Sequence, residues 1–316
     1  MVKARGSAAR APLGRTRATK LAFALCALAA VPLTGCASPA QHSGSQPAAS
    51  PSAPQPTASA PAATRVPRPA HTVVVVLENH GYGQVIGSSA APYLNQLART
   101  GALFTRSYAV THPSEPNYLA LFSGSPQGDK SDTCPLSFSV PNLASELLSA
   151  GDTFTGYAEG LPGVGSKLCV AGEYARKHVP WTDFMNVPAS ANQPFRSFPS
   201  DFTKLPTVSF VIPNLCNDMH DCGVSTGDSW LRTHLGSYVT WAKTHNSLLI
   251  VTFDEAELVS LFNQVPTIVV GQSVRPGRYS QRITHYSVLA TIEAAYGLPR
   301  TGQATSAQPI TTIWKS

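Results

Sequence analysis

Apolar residues in this chain form short continuous runs separated by segments with helical periodicity. Residues 73–77 and 248–253 are apolar at successive positions and rich in β-branched side chains. Such runs are typical of strands covered on both faces, as in a parallel sheet. Four weaker runs complete the predicted strands, at 102–108, 154–158, 208–212 and 267–270.

The segments between these runs predict helices. Gly101, Gly151 and Gly297 each follow a helical pattern and are expected to end it. The predicted helices are 92–100, 115–122, 143–148, 229–243 and 286–296. This alternation predicts an α/β fold with a mostly parallel central sheet and helices on both faces. Segments 124–136 and 160–200 lack clear periodicity, and we expect them to be surface loops near the functional site.

The first 36 residues have the pattern of an export signal. Six basic residues precede a short apolar run at 21–32, which is too short to span a bilayer comfortably. The run ends in Leu33-Thr34-Gly35-Cys36, which resembles the lipobox of bacterial lipoproteins, in which the cysteine is lipidated. An ordinary signal cleaved nearby is the alternative. Export to the outer face of the cell membrane, or secretion, follows from either interpretation.

A segment rich in Ala, Pro and Ser follows at 37–70 and is expected to be a disordered tether. A single catalytic domain is then expected at 71–316. The signal contains six of the 23 basic residues and no acidic residue, so the remainder has 17 of each sign. With a net charge of zero, this domain is not expected to bind nucleic acid. The membrane is expected as a partner only through the lipid anchor.

Four cysteines remain beyond the signal, and an even number in an exported chain favours disulfides. The short separation favours Cys216–Cys222, and elimination then leaves Cys134–Cys169. The sequence alone allows three pairings. A zinc cluster is the alternative, although no C-x-x-C spacing supports it.

Both strong strands stop at acidic residues. Residues 73–77 are followed by Glu78-Asn79-His80, and residues 248–253 by Asp254-Glu255. Ligands of parallel sheets bind beyond the carboxyl ends of the strands. Three carboxylates gathered there would repel each other unless a cation or protons neutralised them, so the pattern predicts a metal site. The alternative is that each acid caps the following turn.

Two further segments contain candidate chemistry. Ser114 lies where a helix begins, so it is a candidate nucleophile beside a metal, or else a helix cap. Asp218 and His220 follow another strand, with Asp221 placed to orient the histidine, although this segment also fits an Asx-rich turn clipped by a disulfide. His285 immediately precedes the last helix, and alone it is more typical of a packing residue.

Several segments in order resemble the bacterial phosphoesterase family of secreted acid phosphatases and phosphatidylcholine-type phospholipases C, within the alkaline phosphatase superfamily. The resemblance is strongest with the compact phosphatase branch. The matching segments span the chain from residue 73 to the C-terminus and are residues 74–80, 91–95, 111–124, 213–221, 252–255, 265–271 and 285–289.

The resemblance implies a role for each matching residue. It implies a divalent metal held by Glu78, Asp254 and Glu255, with Asp218 on the opposite side, and Ser114 as the phosphorylated nucleophile. It implies His220 and His285 as proton donors, or as neighbours of a second metal. The expected phosphate contacts are His112, Asn117 and Asn79, of which Asn79 is alternatively a metal ligand. Relatives continue the Phe-Asp-Glu motif with further acids, whereas this chain continues Ala256-Glu257-Leu258-Val259, which leaves the metal count at one or two.

The resemblance therefore implies an acid phosphatase that hydrolyses phosphomonoesters through a phosphoserine intermediate. A phospholipase C or other phosphodiesterase is the first alternative, and a lipoprotein that binds a phosphorylated ligand without turnover is the second. A sulfatase is disfavoured, because its formylglycine motif requires an arginine where this chain has Tyr118. Metal identity stays open, because mixed carboxylate and histidine ligands suit several divalent ions.

Overall fold

The computed structural model describes residues 66–315 except positions 259 and 261. The predicted signal, Cys36 and most of the predicted tether lie outside the described residues. Residues 66–70 were expected to belong to the tether, but they pack against the domain. Val66 is buried in the core, and Arg68 forms an ion pair with Asp152 at 2.7 Å. Within the described part of the chain, no helix is both long and apolar enough to cross a bilayer.

An eight-stranded sheet forms the centre of the domain. Its order is β11-β2-β10-β9-β1-β8-β4-β7, and two small two-stranded sheets pair β3 with β12 and β5 with β6. The strands are β1 His71–Leu77, β2 Ala102–Phe104, β3 Ser107–Tyr108, β4 Phe154–Ala158, β5 Val170–Ala171, β6 Tyr174–Ala175, β7 Asn192–Pro194, β8 Val208–Ile212, β9 Ser247–Phe253, β10 Thr267–Gly271, β11 Gly277–Tyr279 and β12 Ile283–Thr284.

Six α-helices cover the two faces of this sheet. They are α1 Tyr82–Val85, α2 Pro92–Thr100, α3 Ser114–Ser123, α4 Leu143–Ser149, α5 Val224–Ala242 and α6 His285–Tyr296. Side chains of α2 and α5 share one apolar core with one face of the sheet, and those of α3, α4 and α6 share the other. The predicted α/β fold with helices on both faces is confirmed.

The strand at the centre of the sheet sets the position of the functional residues. β1 pairs in parallel with β8 on one side and with β9 on the other, and Leu77 is the register partner of Phe253. Because both strands end at this pair, the next residues, Glu78 and Asp254, leave the sheet side by side. β10 runs antiparallel to β9, so the sheet is mostly rather than wholly parallel.

Several predicted elements differ in the structure. The helix predicted at 229–243 begins five residues earlier, at Val224. The run at 102–108 is broken into β2 and β3, which belong to different sheets. Segment 160–200 was expected to be a surface loop, but it contains β5–β7 and four 3₁₀ helices, and Trp181, Tyr174 and His178 within it are buried. We call this segment the insertion. Its irregular elements have neither helical nor strand periodicity, which is why its packed core was not predicted.

Both expected disulfides are present, Cys134–Cys169 and Cys216–Cys222. The first links loop 124–136 to the insertion, and the second closes the segment that carries Asp218 and His220. Structural disulfides are typical of oxidising compartments, which agrees with an exported protein.

Candidate active site

Glu78 lies at the centre of a buried polar cluster at the carboxyl end of β1. Its side chain has no solvent exposure. Ser114 Oγ donates a hydrogen bond to Glu78 Oε2 at 3.0 Å, and the Tyr118 hydroxyl donates to Oε1. The chain turns sharply at Asn79, whose φ of 54° is in the left-handed region that asparagine tolerates better than most residues. This turn brings the Asn79 amide Nδ2 to 3.3 Å from Glu78 Oε2.

Asp254 and Glu255 approach the same serine from β9. The Asn79 backbone N–H donates to Asp254 Oδ1 at 3.0 Å, which joins the two strand ends. Burial raises the pKa of both carboxyls, and the nearby Ser114 hydroxyl, whose one hydrogen is donated to Glu78, offsets this only in part. We call Glu78, Asp254 and Glu255 the carboxylate side of the site. The predicted convergence of these acids on Ser114 is observed.

Ser114 is the first residue of α3, and the residues around it fix the start of that helix. Asn117 is 1% exposed, and both ends of its amide are used: Oδ1 accepts the backbone N–H groups of Val110 and Thr111, and Nδ2 donates to the carbonyls of Thr111 and Pro113. Asn117 thus braces the loop before the helix, and its contact with phosphate stays a prediction. His112 lies at the rim, where its Nδ1 is 2.5 Å from Glu255 Oε2.

A second group of side chains contacts the other oxygen of Glu78. His178 Nε2 lies 3.2 Å from Glu78 Oε1, and His178 Nδ1 lies 3.1 Å from Asp218 Oδ2. The His220 backbone N–H donates to Asp218 Oδ1 at 2.8 Å. His220 Nδ1 lies 2.6 Å from Asp221 Oδ1, the orienting contact that the sequence predicted. We call His178, Asp218 and His220 the histidine side of the site.

One cationic side chain borders the histidine side. Lys177 Nζ donates to Asp132 Oδ2 at 2.8 Å and lies 3.3 Å from His220 Nε2. The other oxygen of Asp132 accepts the Glu115 backbone N–H in the first turn of α3 at 3.1 Å. Burial lowers the pKa of Lys177, but the hydrogen bond to Asp132 and the charges of Asp132, Glu78 and Asp254 together outweigh it. The net shift is upward, so the side chain is charged.

His285 has a different position from the one expected of a proton donor. Its Nε2 lies 2.6 Å from the backbone carbonyl oxygen of Asp254. A carbonyl only accepts, so Nε2 carries the hydrogen and is engaged away from the carboxylate cluster. Burial lowers the pKa of His285 to about 4, which keeps the ring neutral. The geometry therefore suits positioning of Asp254, and proton donation by His285 stays a prediction.

Burial raises the pKa of every acid in the cluster. Burial and the neighbouring Asp254 and Asp218 raise the pKa of Glu78 well above its ordinary value. Burial raises the pKa of Asp254, and raises those of Glu255 and Asp218 to about 8. Burial, together with Lys177, lowers the pKa of His178 to about 3. Four acids whose charges are this costly need either protons or a cation.

Several buried donor atoms of the site lack hydrogen-bond partners, as expected of ligands for a divalent cation. Oδ2 of Asp254 is buried and has no hydrogen-bond partner among the described residues. Oε2 of Glu255 is also buried without one, although His112 Nδ1 lies 2.5 Å away. His178 Nε2 is also without one, although a carboxylate oxygen lies 3.2 Å away. One nitrogen or oxygen each from Glu78, His178 and His220 lie within 4.8 Å of one another, close enough to share an ion. Mixed oxygen and nitrogen donors of this kind suit several divalent metals.

The sequence did not identify three residues of this site: His178, Lys177 and Tyr118. The first two lie in the insertion, which has no regular period, and Tyr118 looked like an ordinary apolar position of α3. The spacing of Tyr118 from Ser114 is a weak sequence indication of its position in the site. Tyr118 follows Ser114 by four residues and therefore lies on the same helix face as the serine.

Comparison with known proteins identifies the family of the chain. The model of the Phosphoesterase family matches residues 88–299. A phosphatidylinositol-3-phosphatase of Mycobacterium tuberculosis is 56% identical over 256 residues, which cover 80% of this chain and 85% of that protein. An acid phosphatase of Aspergillus fumigatus is 31% identical over 249 residues, covering 72% of this chain and 55% of that protein. The chain thus spans about half the length of this fungal relative.

Solved structures with a similar fold have low sequence identity. A protein of the alkaline phosphatase superfamily from Vibrio parahaemolyticus superposes with a TM-score of 0.53 at 16% identity, covering 78% of this chain and 72% of that one. The lipoteichoic acid synthase LtaP of Listeria monocytogenes gives 0.53 at 11% identity, covering 78% and 76%. The chain therefore belongs to the Phosphoesterase family and is a hydrolase of phosphoric ester bonds with an alkaline-phosphatase-like fold.

Proposed function

We propose that this protein is a metal-dependent phosphomonoesterase in which Ser114 is the nucleophile and is transiently phosphorylated. The observation that carries the proposal is the position of the Ser114 hydroxyl, which donates to Glu78 Oε2 at 3.0 Å and is near enough to Asp254 and Glu255 to lower the pKa of both. A serine used only as a helix cap would accept a backbone N–H through its side chain. Ser114 instead directs its hydroxyl at a buried carboxylate.

The carboxylate side would hold the metal, through Glu78, Asp254 and Glu255. A bound divalent cation supplies charge neutralisation for the phosphate and lowers the pKa of a nearby hydroxyl. Ser114 loses its proton to the surrounding carboxylates and attacks phosphorus, and the ester oxygen departs on the opposite side. Water then attacks the phosphoserine, which releases phosphate and returns the proton to Ser114.

The histidine side would serve the leaving oxygen. His220 is partly exposed, and Asp221 orients its ring from behind. Lys177 provides a permanent positive charge next to His220 Nε2, suited to a phosphate oxygen or to the departing oxygen. His178 is fully buried between Glu78 and Asp218 and joins the two sides. Asn79 and His112 are the phosphate neighbours in this arrangement.

The substrate class follows from the same site and from the relatives. The Mycobacterium tuberculosis relative is named for a phosphorylated lipid and the Aspergillus fumigatus relative for acid phosphatase activity. We infer that this chain removes a terminal phosphate from a phosphomonoester outside the cell, where the predicted signal and Cys36 would hold it on the membrane. Parallel assays with p-nitrophenyl phosphate, bis(p-nitrophenyl) phosphate and phosphatidylcholine separate this activity from that of a phosphodiesterase or phospholipase C.

The decisive experiment is substitution and trapping of the nucleophile. Ser114→Ala should lower kcat on p-nitrophenyl phosphate by roughly 10⁴-fold or more, as in other covalent enzymes. Ser123→Ala is the matched control, because Ser123 lies on the same helix but donates only to the Leu119 and Ser125 carbonyls. Rapid acid quench should give a phosphorylated peptide containing residue 114. An unchanged turnover in Ser114→Ala would refute the assignment.

Metal dependence has a separate test. Dialysis against EDTA should abolish turnover, and metal analysis of the purified protein should find at least one divalent ion per chain. Full activity in metal-free protein would refute the proposed cation but not the role of Ser114 as the nucleophile.

A further inference from the structure

Two large apolar side chains project from the loop that directly follows Glu255. Leu258 and Phe262 expose 79% and 76% of their surface, the largest exposures among the bulky apolar residues of the described chain. A single exposed leucine is ordinary, but two such residues in one short loop form a patch.

The base of this loop is fixed to the active site. Asn263 accepts the Ala256 backbone N–H through Oδ1 at 2.8 Å and donates through Nδ2 to the Thr111 carbonyl at 2.6 Å. Its φ of 46° is in the left-handed region, which lets the chain reverse direction there. The loop thus leaves the site next to Glu255 and returns next to His112. Leu258 and Phe262 therefore stand at the rim of the catalytic opening.

Exposed arginines flank the same loop. Arg278 donates to the Tyr82 hydroxyl at 3.0 Å, and the Arg282 guanidinium lies 4.7 Å from the centre of the Tyr108 ring. Arg106 is also exposed. Its backbone carbonyl accepts the N–H of Ile283, which places it beside Arg282. Among the described residues, no carboxylate lies within ion-pair distance of any of these three arginines.

Gln264 joins the arginines to the apolar loop. Its carbonyl accepts the Tyr82 backbone N–H at 2.9 Å, and it forms a β-bridge with Tyr108. Both tyrosines that hold the arginines are thus bonded to a residue only two positions after Phe262. Gln264 and the two tyrosines thus link the apolar loop of Leu258 and Phe262 to Arg106, Arg278 and Arg282. The same loop has one exposed acid, Glu257, whose Oε1 accepts a hydrogen bond from Gln84 Nε2 at 2.7 Å. We call the surface formed by the loop, the tyrosines and the three arginines the rim face.

We propose that the rim face docks the enzyme on an anionic lipid surface. Apolar side chains that enter the acyl boundary, arginines that meet anionic headgroups and aromatic residues at headgroup level form the combination that binds membrane interfaces. With three arginines against the single acid Glu257, the face is net positive and therefore complementary to such a surface. Docking on the lipid surface does not require the proposed phosphatase activity. Only the substrate, a phosphomonoester in that lipid layer, rests on the proposed function.

The test is vesicle binding by the chain from residue 37 onward, which lacks the predicted lipidated cysteine. The vesicles contain phosphatidylcholine with or without about 30 mol% phosphatidylglycerol, which is anionic. Each arginine near an anionic surface is expected to raise the binding constant about fivefold. Neither lipid carries a terminal phosphate, so binding is measured without turnover. We expect sedimentation with the anionic vesicles, weakened by salt.

The paired variants are Leu258→Asp/Phe262→Asp and Arg106→Gln/Arg278→Gln/Arg282→Gln. Each should reduce binding at least about tenfold, since each removes one of the two attractions. The controls are Val164→Asp/Met185→Asp, which are exposed apolar residues of the insertion, and Arg196→Gln/Arg232→Gln, which are exposed arginines elsewhere. The controls should bind like the unaltered chain.

Turnover of p-nitrophenyl phosphate should be unchanged in both rim-face variants, whereas hydrolysis of phosphatidic acid in vesicles should fall with binding. Vesicle binding that persists in the rim-face variants, or that falls equally in the controls, would overturn the proposal. So would a dimer, seen by light scattering, that these variants dissociate, because the face would then bind a second copy. Vesicle binding without hydrolysis of any ester would instead refute the proposed function alone.

Discussion

The two sides of the active site share Glu78 but are built in different ways. The carboxylate side comes from the ends of β1 and β9, and the in-register pairing of Leu77 with Phe253 sets its geometry. The histidine side takes His178 from the insertion and Asp218 from the segment after β8. Tertiary packing, an ion pair and two disulfides hold it together. The difference teaches that the proposed metal site depends mainly on the sheet, whereas the histidine side, proposed to serve the leaving oxygen, depends on the insertion.

The largest expected effect is on the carboxylate side. Asp254→Asn keeps the size of the side chain and the hydrogen bond from the Asn79 backbone, but it removes one charge from the proposed metal site. We expect kcat/KM to fall by about 10³-fold or more, together with metal content, because metal stabilisation contributes several kcal/mol. Kinetics and metal analysis on the same preparation check this. If Asp254→Asn lost activity but kept its full metal content, Asp254 would not be a metal ligand.

The next effect is on the histidine side. His178→Gln should lower kcat by about 10²-fold, in the range of a lost acid–base or orienting group, while metal content falls less than in Asp254→Asn. His234→Gln, an exposed histidine of α5, is the control and should leave kcat unchanged. If His178→Gln empties the metal site as completely as Asp254→Asn does, the two sides form one metal centre and the distinction fails.

A smaller effect should follow from opening the disulfide that holds the insertion. Cys134→Ser/Cys169→Ser frees the segments that carry Asp132 and Lys177. We expect KM to rise by roughly tenfold from the displaced positive charge and stability to fall by about 2–4 kcal/mol. Steady-state kinetics and urea unfolding measure the two quantities. Metal content should stay constant, and a loss of metal would show that the carboxylate side also depends on the insertion.

The smallest effect concerns the stability of metal-free protein as pH changes. Burial raises the pKa of Glu255 and Asp218 to about 8, so the folded state binds these protons more tightly than the unfolded chain. Stability should therefore be greatest near the ordinary carboxyl pKa and decline as pH rises to about 8. We expect Tm in EDTA to fall by roughly 5–10 °C from pH 5 to pH 8.

Saturating metal should flatten this profile, because the cation replaces the protons. Glu255→Gln on the carboxylate side and Asp218→Asn on the histidine side should each reduce the dependence of Tm on pH in EDTA, because each removes one of the two titrating carboxyls. A Tm in EDTA that rises over the same range would contradict the shared burial of these acids.

The sequence predicted the carboxylate side because a parallel sheet places strand ends together. Two apolar runs that stop at acids, with a serine at the start of a helix, therefore contain most of the geometry of Glu78, Asp254 and Ser114. The histidine side was predicted only at Asp218 and His220. His178 reaches Glu78 through 3₁₀ turns and aromatic packing, which leave no period in the chain. The role of Asn117 depends on backbone carbonyls that no sequence pattern specifies.

The aromatic packing beneath His178 has one further consequence. The Trp181 ring lies directly on the backbone of Gly156 in β4, and a Cβ at position 156 would approach the indole to 2.1 Å. The indole N–H is also fixed, since it donates to Asn192 Oδ1 at 2.9 Å. A methyl group added to a strand residue that touches no substrate would lift the tryptophan and, three positions earlier, the imidazole. Glycine at position 156 is thus required for the packing of Trp181, on which the placement of the segment carrying His178 depends.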